Sequence, residues 1–251
     1  MTDRDADTGV DDEGTSDSEP TGAARRYDTV FWDIGGVIVE LRSIREGYAA
    51  FVGELVDRGD LGMDTDTALS AWKSTLGDHF KGREGTEYRT AREGYRKATA
   101  ELFDGDPPAD WEDTFDRVAS ATVRPKDGVI ETIEALADAG VRQAIVSDID
   151  TREAEHMLET FGVREHFDHV TTSEEVGHTK PDERMFRDAL EGTGADPDRT
   201  LMVGDRHTHD VAGAAAVGID AAGYGEDGWG PEADYEIEEL HELLHVVGVR
   251  G

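Results

Sequence analysis

Val30-Phe31-Trp32-Asp33-Ile34-Gly35-Gly36-Val37-Ile38 is the stretch whose reading decides the fold. An apolar run of strand-forming residues ends on one carboxylate, Asp33, and two glycines follow. Such a short unbroken run makes a buried strand, and glycine lets the backbone turn tightly beyond its end. In an open α/β sheet, ligands bind at the carboxyl ends of the strands. A carboxylate delivered there is a metal ligand, a nucleophile or a turn cap.

Downstream of this strand, placed at 27–33, the pattern turns helical and stays so from Ile44 to about Ser120. Ile44, Tyr48, Phe51, Val52, Leu55 and Val56 form one stripe. Leu69, Trp72, Leu76 and Phe80 form a second, Tyr88, Tyr95, Ala98 and Leu102 a third, and Trp111, Phe115 and Val118 a fourth. Glycines and Pro107-Pro108 punctuate them. A single crossover needs only about a dozen residues. Residues 44–120 therefore read as an inserted helical subdomain whose aromatic stripes are its own core.

After Pro125 strands and helices alternate. Strands are expected at 141–146, 169–171, 200–203 and 219–222. Helices are expected at 128–139, at 151–161 with Thr151 as its N-cap, at 181–190, at 210–217 and at 237–247. Alternation of this kind makes an α/β fold: a Rossmann-like parallel sheet with helices on both faces, here carrying an inserted α-helical subdomain. The α/β body comprises 27–43 and 121–251.

Acidic residues outnumber basic ones 58 to 25, a formal net charge of −33. Eight acids lie within the first 20 residues, yet removal of residues 1–26 still leaves −28. The acidity belongs to the folded part. It argues against binding nucleic acid or an anionic membrane, since both polyanions are repelled. Only five basic residues are lysine, a profile similar to cytoplasmic proteins of salt-in halophiles. With no cysteine, disulfides and thiolate chemistry are excluded. No secretory signal and no membrane-length apolar run is visible, so a cytoplasmic protein is expected. Residues 1–26 hold almost no large apolar side chain and read as disordered.

Three strand ends carry chemistry: Asp33, Ser147, and Asp205 with Asp210 five residues on. Lys180 comes from the loop Gly177-His178-Thr179-Lys180-Pro181. In a parallel sheet these ends lie on one edge and can converge. Together they offer acids for a hard divalent cation, a positive charge, and a hydroxyl for an anionic group.

Four stretches, VFWDIGGVI, AIVS, the Lys-Pro of HTKPD, and VGDRHTHD, resemble in order the motifs of the haloacid dehalogenase-like hydrolase superfamily. The resemblance spans about 27–247, and the gap after the first strand has the size of that family's helical cap. It implies a Mg²⁺-dependent phosphatase acting on a small phosphorylated metabolite, the cap selecting the substrate. Asp33 would be the nucleophile that forms an acyl-phosphate, and Lys180 would neutralise charge on it and on the phosphoryl group. Ser147, Asp148, Gly36 and Lys180 would bind the phosphate. The metal would be held by Asp33, Asp205, Asp210 and the carbonyl of Gly35; for Asp210, capping of the helix from Val211 is the alternative.

The chain departs from the family pattern at Gly35, where phosphatases of this kind carry a second Asp as general acid and base. His178, His207 and His209 lie near the motifs and are either loop residues or a replacement acid. A 2-haloacid dehalogenase needs no such acid, but Asp205 makes sense chiefly with a cation. A non-catalytic member that binds a phospho-ligand or a partner protein is the third reading. Tyr48, Trp72, His79, Phe80, Arg83, Tyr88 and Arg92 are the candidates on the inserted helices for facing the substrate. The sequence leaves the substrate and the oligomeric state open.

Overall fold

The computed structural model describes residues 26–59 and 61–249. The expected disordered segment 1–26 lies outside them except for Arg26, which is anchored by Asp220 (2.7 Å) and the Tyr235 hydroxyl (2.8 Å).

The sheet has six parallel strands in the order β3-β2-β1-β4-β5-β6. They are β1 (Thr29–Trp32), β2 (Arg142–Ser147), β3 (His169–Thr172), β4 (Thr200–Gly204), β5 (Asp220–Tyr224) and β6 (Tyr235–Ile237). β1 lies between β2 and β4, with Trp32 opposite both Ile145 and Val203. All four residues of β1 are fully buried, which is why its sequence shows no polar alternation. Val30 and Trp32 point to one apolar layer and Phe31 to the other. Burying each such side chain is worth about 1.5–3 kcal/mol. The indole N–H of Trp32 is satisfied inside the core by Gln143 (3.1 Å), whose amide in turn donates to the carbonyl of Ile133 (3.0 Å).

Helices cover both faces. On one side lie α5 (Val129–Asp138), α6 (Thr151–Thr160) and α10 (Glu242–Val247). On the other lie α8 (Glu183–Thr193) and the single turn α9 (Ala212–Ala215), while α7 (Ser173–Val176) follows β3. Four further helices stand between β1 and α5: α1 (Leu41–Arg58), α2 (Thr65–Lys81), α3 (Ala91–Leu102) and α4 (Trp111–Thr122). They pack around their own apolar cluster, which includes Phe51, Trp72, Tyr95 and Phe115. Trp72 and Tyr95 stack at 5.7 Å and Tyr95 and Phe115 at 4.4 Å between ring centres.

Two attachments bring this helical layer onto the sheet edge. Thr179 N–H donates to the Thr86 carbonyl (2.8 Å) and Tyr88 N–H to the Gly177 carbonyl (3.0 Å), just ahead of Lys180. Asp150, after β2, accepts the backbone N–H groups of Ala91 and Arg92 (both 2.9 Å) and the Tyr88 hydroxyl. A carboxylate from the sheet thus caps the N-terminus of α3.

Several expected elements shift. Thr151 is the first residue of α6 and does not cap it; Asp150 holds the cap position but spends its side chain on α3. Residues 37–41 form no further strand of the sheet. Ile38 and Val39 both donate to the Ile34 carbonyl in a tight turn, and α1 starts at Leu41. Tyr235–Ile237 is a sixth strand, and the last helix begins only at Glu242. Three residues are too few for a period-2 pattern to register.

Candidate functional site

β1 delivers Asp33 to the carboxyl edge of the sheet, where its backbone N–H donates to the Val203 carbonyl of β4 (3.0 Å). Its side chain is buried. Oδ1 accepts from the Ser147 hydroxyl at the end of β2 (2.8 Å) and from Lys180 Nζ (2.8 Å). No hydrogen bond among the described residues reaches Oδ2. One oxygen of the carboxylate is therefore pinned and the other is left for chemistry.

Lys180 is fully buried. Its ammonium donates to Asp33 Oδ1 and to the Val146 carbonyl (2.8 Å), and it lies 2.6 Å from Asp210 Oδ1. Two of its three N–H donors are thus spent in hydrogen bonds, and its charge is paired with the Asp210 carboxylate. Burial lowers its pKa, but the charges of Asp210 and Asp33 outweigh that and raise it, so it stays a cation. Burial also works against ionisation of Asp33; Lys180 and Arg206 together overcome it and hold the carboxyl below its ordinary range.

Asp205 and Asp210 follow β4. Gly204 permits their approach, because a Cβ there would lie 2.1 Å from that of Asp210. Asp210 sits inside a wide helical turn, His207–Val211, and its Oδ2 accepts the Arg206 N–H (2.9 Å). The expectation that Asp210 caps a helix from Val211 is thereby corrected: it braces Lys180 and the Arg206 backbone. Burial and the neighbouring Asp33 push its carboxyl up. One oxygen each of Asp33, Asp205 and Asp210 lie within 4.8 Å of one another. Asp205 Oδ1 is buried with no hydrogen-bond partner among the described residues. Burial, then Asp33 and Asp210, push the Asp205 carboxyl up to about 6.

Gly36, with φ +88°, follows Asp33, and a side chain on it would overlap Asp205. Asp148 turns its carboxylate away from any anion: Oδ1 accepts from the Lys180 N–H (2.7 Å) and Ser173 (3.1 Å), and Oδ2 from Arg206 Nη2 (3.1 Å). As a phosphate contact its side chain is the wrong sign, so only its backbone N–H could serve. Arg206 is the cation that sequence reasoning missed. It was legible as the residue after Asp205, yet the motif drew the reading to the acids. Lys180 and Arg206 thus meet four carboxylates, Asp33, Asp148, Asp205 and Asp210. With all of them ionised the surplus is two negative charges, the complement of one divalent cation.

These groups open onto a cavity of about 370 Å³ whose wall also holds Gly35, Tyr48, Phe80, Tyr88, Tyr95 and Glu153. Of the expected substrate-facing residues, Tyr48, Phe80 and Tyr88 line it. Trp72 belongs to the helical core, and His79 is tied to the Thr90 carbonyl (3.0 Å). Arg83 lines neither this cavity nor the one beside it, and Arg92 lines only the latter. None of the three histidines lines the site cavity. His178 is held by Thr86 (3.1 Å) and His207 by Glu232 (2.6 Å). Burial, then Arg206, lower the pKa of His209. No described helix is long and apolar enough to cross a membrane.

Comparison with known proteins agrees with this geometry. The chain is 34% identical over 135 residues to the pyrophosphatase PpaX of Halalkalibacterium halodurans, covering 51% of this chain and 62% of that one. It is 35% identical over 108 residues to a glyceraldehyde 3-phosphate phosphatase of Methanothermobacter thermautotrophicus, covering 43% and 48%. The matches thus span roughly half the length of these curated relatives. A crystal structure of a HAD phosphatase from Thermococcus onnurineus superposes with a TM-score of 0.69 at 27% identity, covering 88% of this chain and 98% of that one. A family model for haloacid dehalogenase-like hydrolases matches residues 27–218, and by that match the chain belongs to the haloacid dehalogenase-like hydrolases.

Proposed function

We propose that this protein is a Mg²⁺-dependent phosphatase that hydrolyses a small organic phosphate monoester, with the four inserted helices acting as the substrate-selecting cap. The observation that carries the reading is Asp205: a buried carboxylate oxygen without a hydrogen-bond partner among the described residues, clustered with the carboxylates of Asp33 and Asp210. Asp33 and Asp205 would hold the cation, with Asp210 and the Gly35 carbonyl completing the group. When bound, the ion supplies charge neutralisation for the phosphoryl oxygens.

Asp33 Oδ2 attacks phosphorus in line, an acyl-phosphate bond forms as the ester bond to the leaving alcohol breaks, and water then cleaves the acyl-phosphate. Ser147 and Lys180 fix Oδ1 so that Oδ2 presents its lone pair. Lys180 acts through its charge, because its ammonium is fully buried, is not part of the cavity lining, and is spent on Asp33, the Val146 carbonyl and the Asp210 ion pair. Ser147 has one proton and gives it to Asp33, so its hydroxyl reaches a phosphoryl oxygen only by rotating. Arg206 lines the cavity and is the better placed direct partner. With Gly35 in place of an acid, turnover needs either a good leaving group or a proton supplied by another residue or by water.

That same glycine favours a second reading, a 2-haloacid dehalogenase, since halide leaves without a proton. The orphaned Asp205 counts against it. Retention of Asp33, Ser147, Lys180 and Asp205 counts against a non-catalytic binding role. The test is phosphate release from a panel of small phosphates, in concentrated KCl with Mg²⁺, beside an EDTA control and Asp33→Asn. Release that needs the metal and disappears in Asp33→Asn supports the phosphatase. Absence of release from folded, Mg²⁺-saturated protein overturns it, and chloride release from 2-haloacids would then identify the dehalogenase.

A further inference from the structure

Next to the site cavity lies a second one, also about 370 Å³, between α1, α3, α4 and α6. Ile44, Tyr48, Tyr95, Glu153 and Met157 border both, so the two meet along a shared wall. Its lining is aromatic on one side, where Tyr48, Tyr95 and Phe115 pack ring on ring and the Tyr48 and Tyr95 hydroxyls bond each other (2.9 Å).

Two polar atoms in this lining are buried and have no partner among the described residues: Arg92 Nη1 and Glu153 Oε1. Arg92 is otherwise fixed. Its Nη2 donates to Asp116 (3.0 Å) and its guanidinium lies 5.8 Å from the Phe115 ring centre. Arg152 holds the other oxygen of Asp116 (2.6 Å). A buried donor and a buried acceptor left unpaired each cost stability, which a ligand satisfying both would recover.

A donor and a carboxyl oxygen left unpaired in one lining are together complementary to hydroxyl groups, which accept from the first and donate to the second. A carboxylate or a second phosphate would meet Arg92 and Arg152, both already paired with Asp116, in a lining that also holds Glu153, Glu155 and Glu159. Burial, then Asp150, push the Glu153 carboxyl up to about 8, so near neutrality it is an uncharged acid able to donate or accept. The size of the cavity suits an alcohol of about six carbons.

We propose that this second cavity receives the leaving group of the substrate, and that Arg92 and Glu153 select an uncharged, hydroxyl-bearing alcohol. The inference rests on the phosphatase reading and narrows it to phosphate esters of polyols or sugars, as against charged leaving groups such as phosphate itself.

The test compares kcat/KM for three esters of equal chain length: sorbitol 6-phosphate, hexyl phosphate and 6-phosphogluconate. It uses the unaltered protein, Glu153→Gln and Arg92→Lys, and binding of free sorbitol is followed in parallel by tryptophan fluorescence. Sorbitol 6-phosphate is expected to lead both others by roughly tenfold or more, and each substitution to shrink that lead by roughly tenfold to a hundredfold. Glu153→Gln is close in shape and keeps the experiment decisive if Arg92→Lys fails to fold. A lead unchanged in the variants, or a preference for 6-phosphogluconate or hexyl phosphate, overturns the inference while the phosphatase stands. No release from any ester, with sorbitol still bound and that binding weakened in the variants, overturns the phosphatase and leaves a hydroxyl-selective pocket. No release and no binding overturns both.

Discussion

Gly36 and Asp205 approach so closely that a methyl group on Gly36 would sit 1.8 Å from Asp205 Oδ2. Gly36 also has φ +88°, a conformation that side chains disfavour. Gly36→Ala must therefore strain the backbone and displace the carboxylate. The expected outcome is a destabilisation of about 1–3 kcal/mol, together with a weakened Mg²⁺-induced rise in Tm. Thermal unfolding with and without Mg²⁺ checks it; a full Mg²⁺ response in the variant would show that Asp205 does not hold the ion.

Lys180 keeps two buried carboxylates, Asp33 and Asp210, apart electrostatically. In Lys180→Met they face each other uncompensated, and removing one partner of a buried ion pair costs about 3–5 kcal/mol. The sign with pH follows. The folded-state pKa of Asp33 is depressed in the unaltered protein, so its contribution is present above the unfolded value and fades only in acid. In the variant both carboxyls gain from protonation. The stability deficit is expected to be largest at neutral pH and to shrink as pH falls toward 5. Urea midpoints across that range measure it, and a deficit independent of pH would contradict the electrostatic role.

Much of this site was legible because the fold itself converts sequence order into position. Asp33, Ser147 and Asp205 each end an apolar run, and parallel strands bring such ends together whatever lies between them. What the sequence hid were contacts made by side chains whose local setting looks ordinary. Asp150 and Glu153 read as acids at the start of a helix, which macrodipole chemistry alone would explain. The partners of Asp150, namely Ala91, Arg92 and Tyr88, are about 60 residues away and carry no spacing signal. The side-chain partners of Asp148, Arg206 and the Lys180 N–H, are likewise distant in the chain and carry no spacing signal. The sixth strand escaped because three residues cannot show a period.

Asp150 holds the inserted helices to the sheet by capping α3. Asp150→Asn keeps one acceptor but loses the second and the charge. A lost cap costs about 0.5–2 kcal/mol, and the loss is local to residues 88–95. Amide exchange in that segment is expected to quicken more than in β1, β2 or β4. Uniform quickening across the chain would mean that Asp150 supports the whole body and not the attachment.

Glu153 gives the fold a pH dependence of the opposite sense from Asp33. Its folded-state pKa is about 8 against an ordinary value of 4.5, burial being the first cause and Asp150 the second. A folded protein that binds this proton more tightly than the unfolded chain loses that advantage as pH rises. The contribution is complete below about 4.5 and is lost progressively as pH climbs through 8. Glu153→Gln carries no titrating group there, so its Tm is expected to fall less than that of the unaltered protein between pH 6 and pH 9, the two curves diverging most above pH 8. Each measurement belongs in concentrated KCl, where the self-repulsion of a chain at −33 is screened and does not mask a single group. Parallel curves would mean that Glu153 is already ionised at pH 6, and its carboxylate would then repel an anionic leaving group outright while still accepting from a hydroxyl.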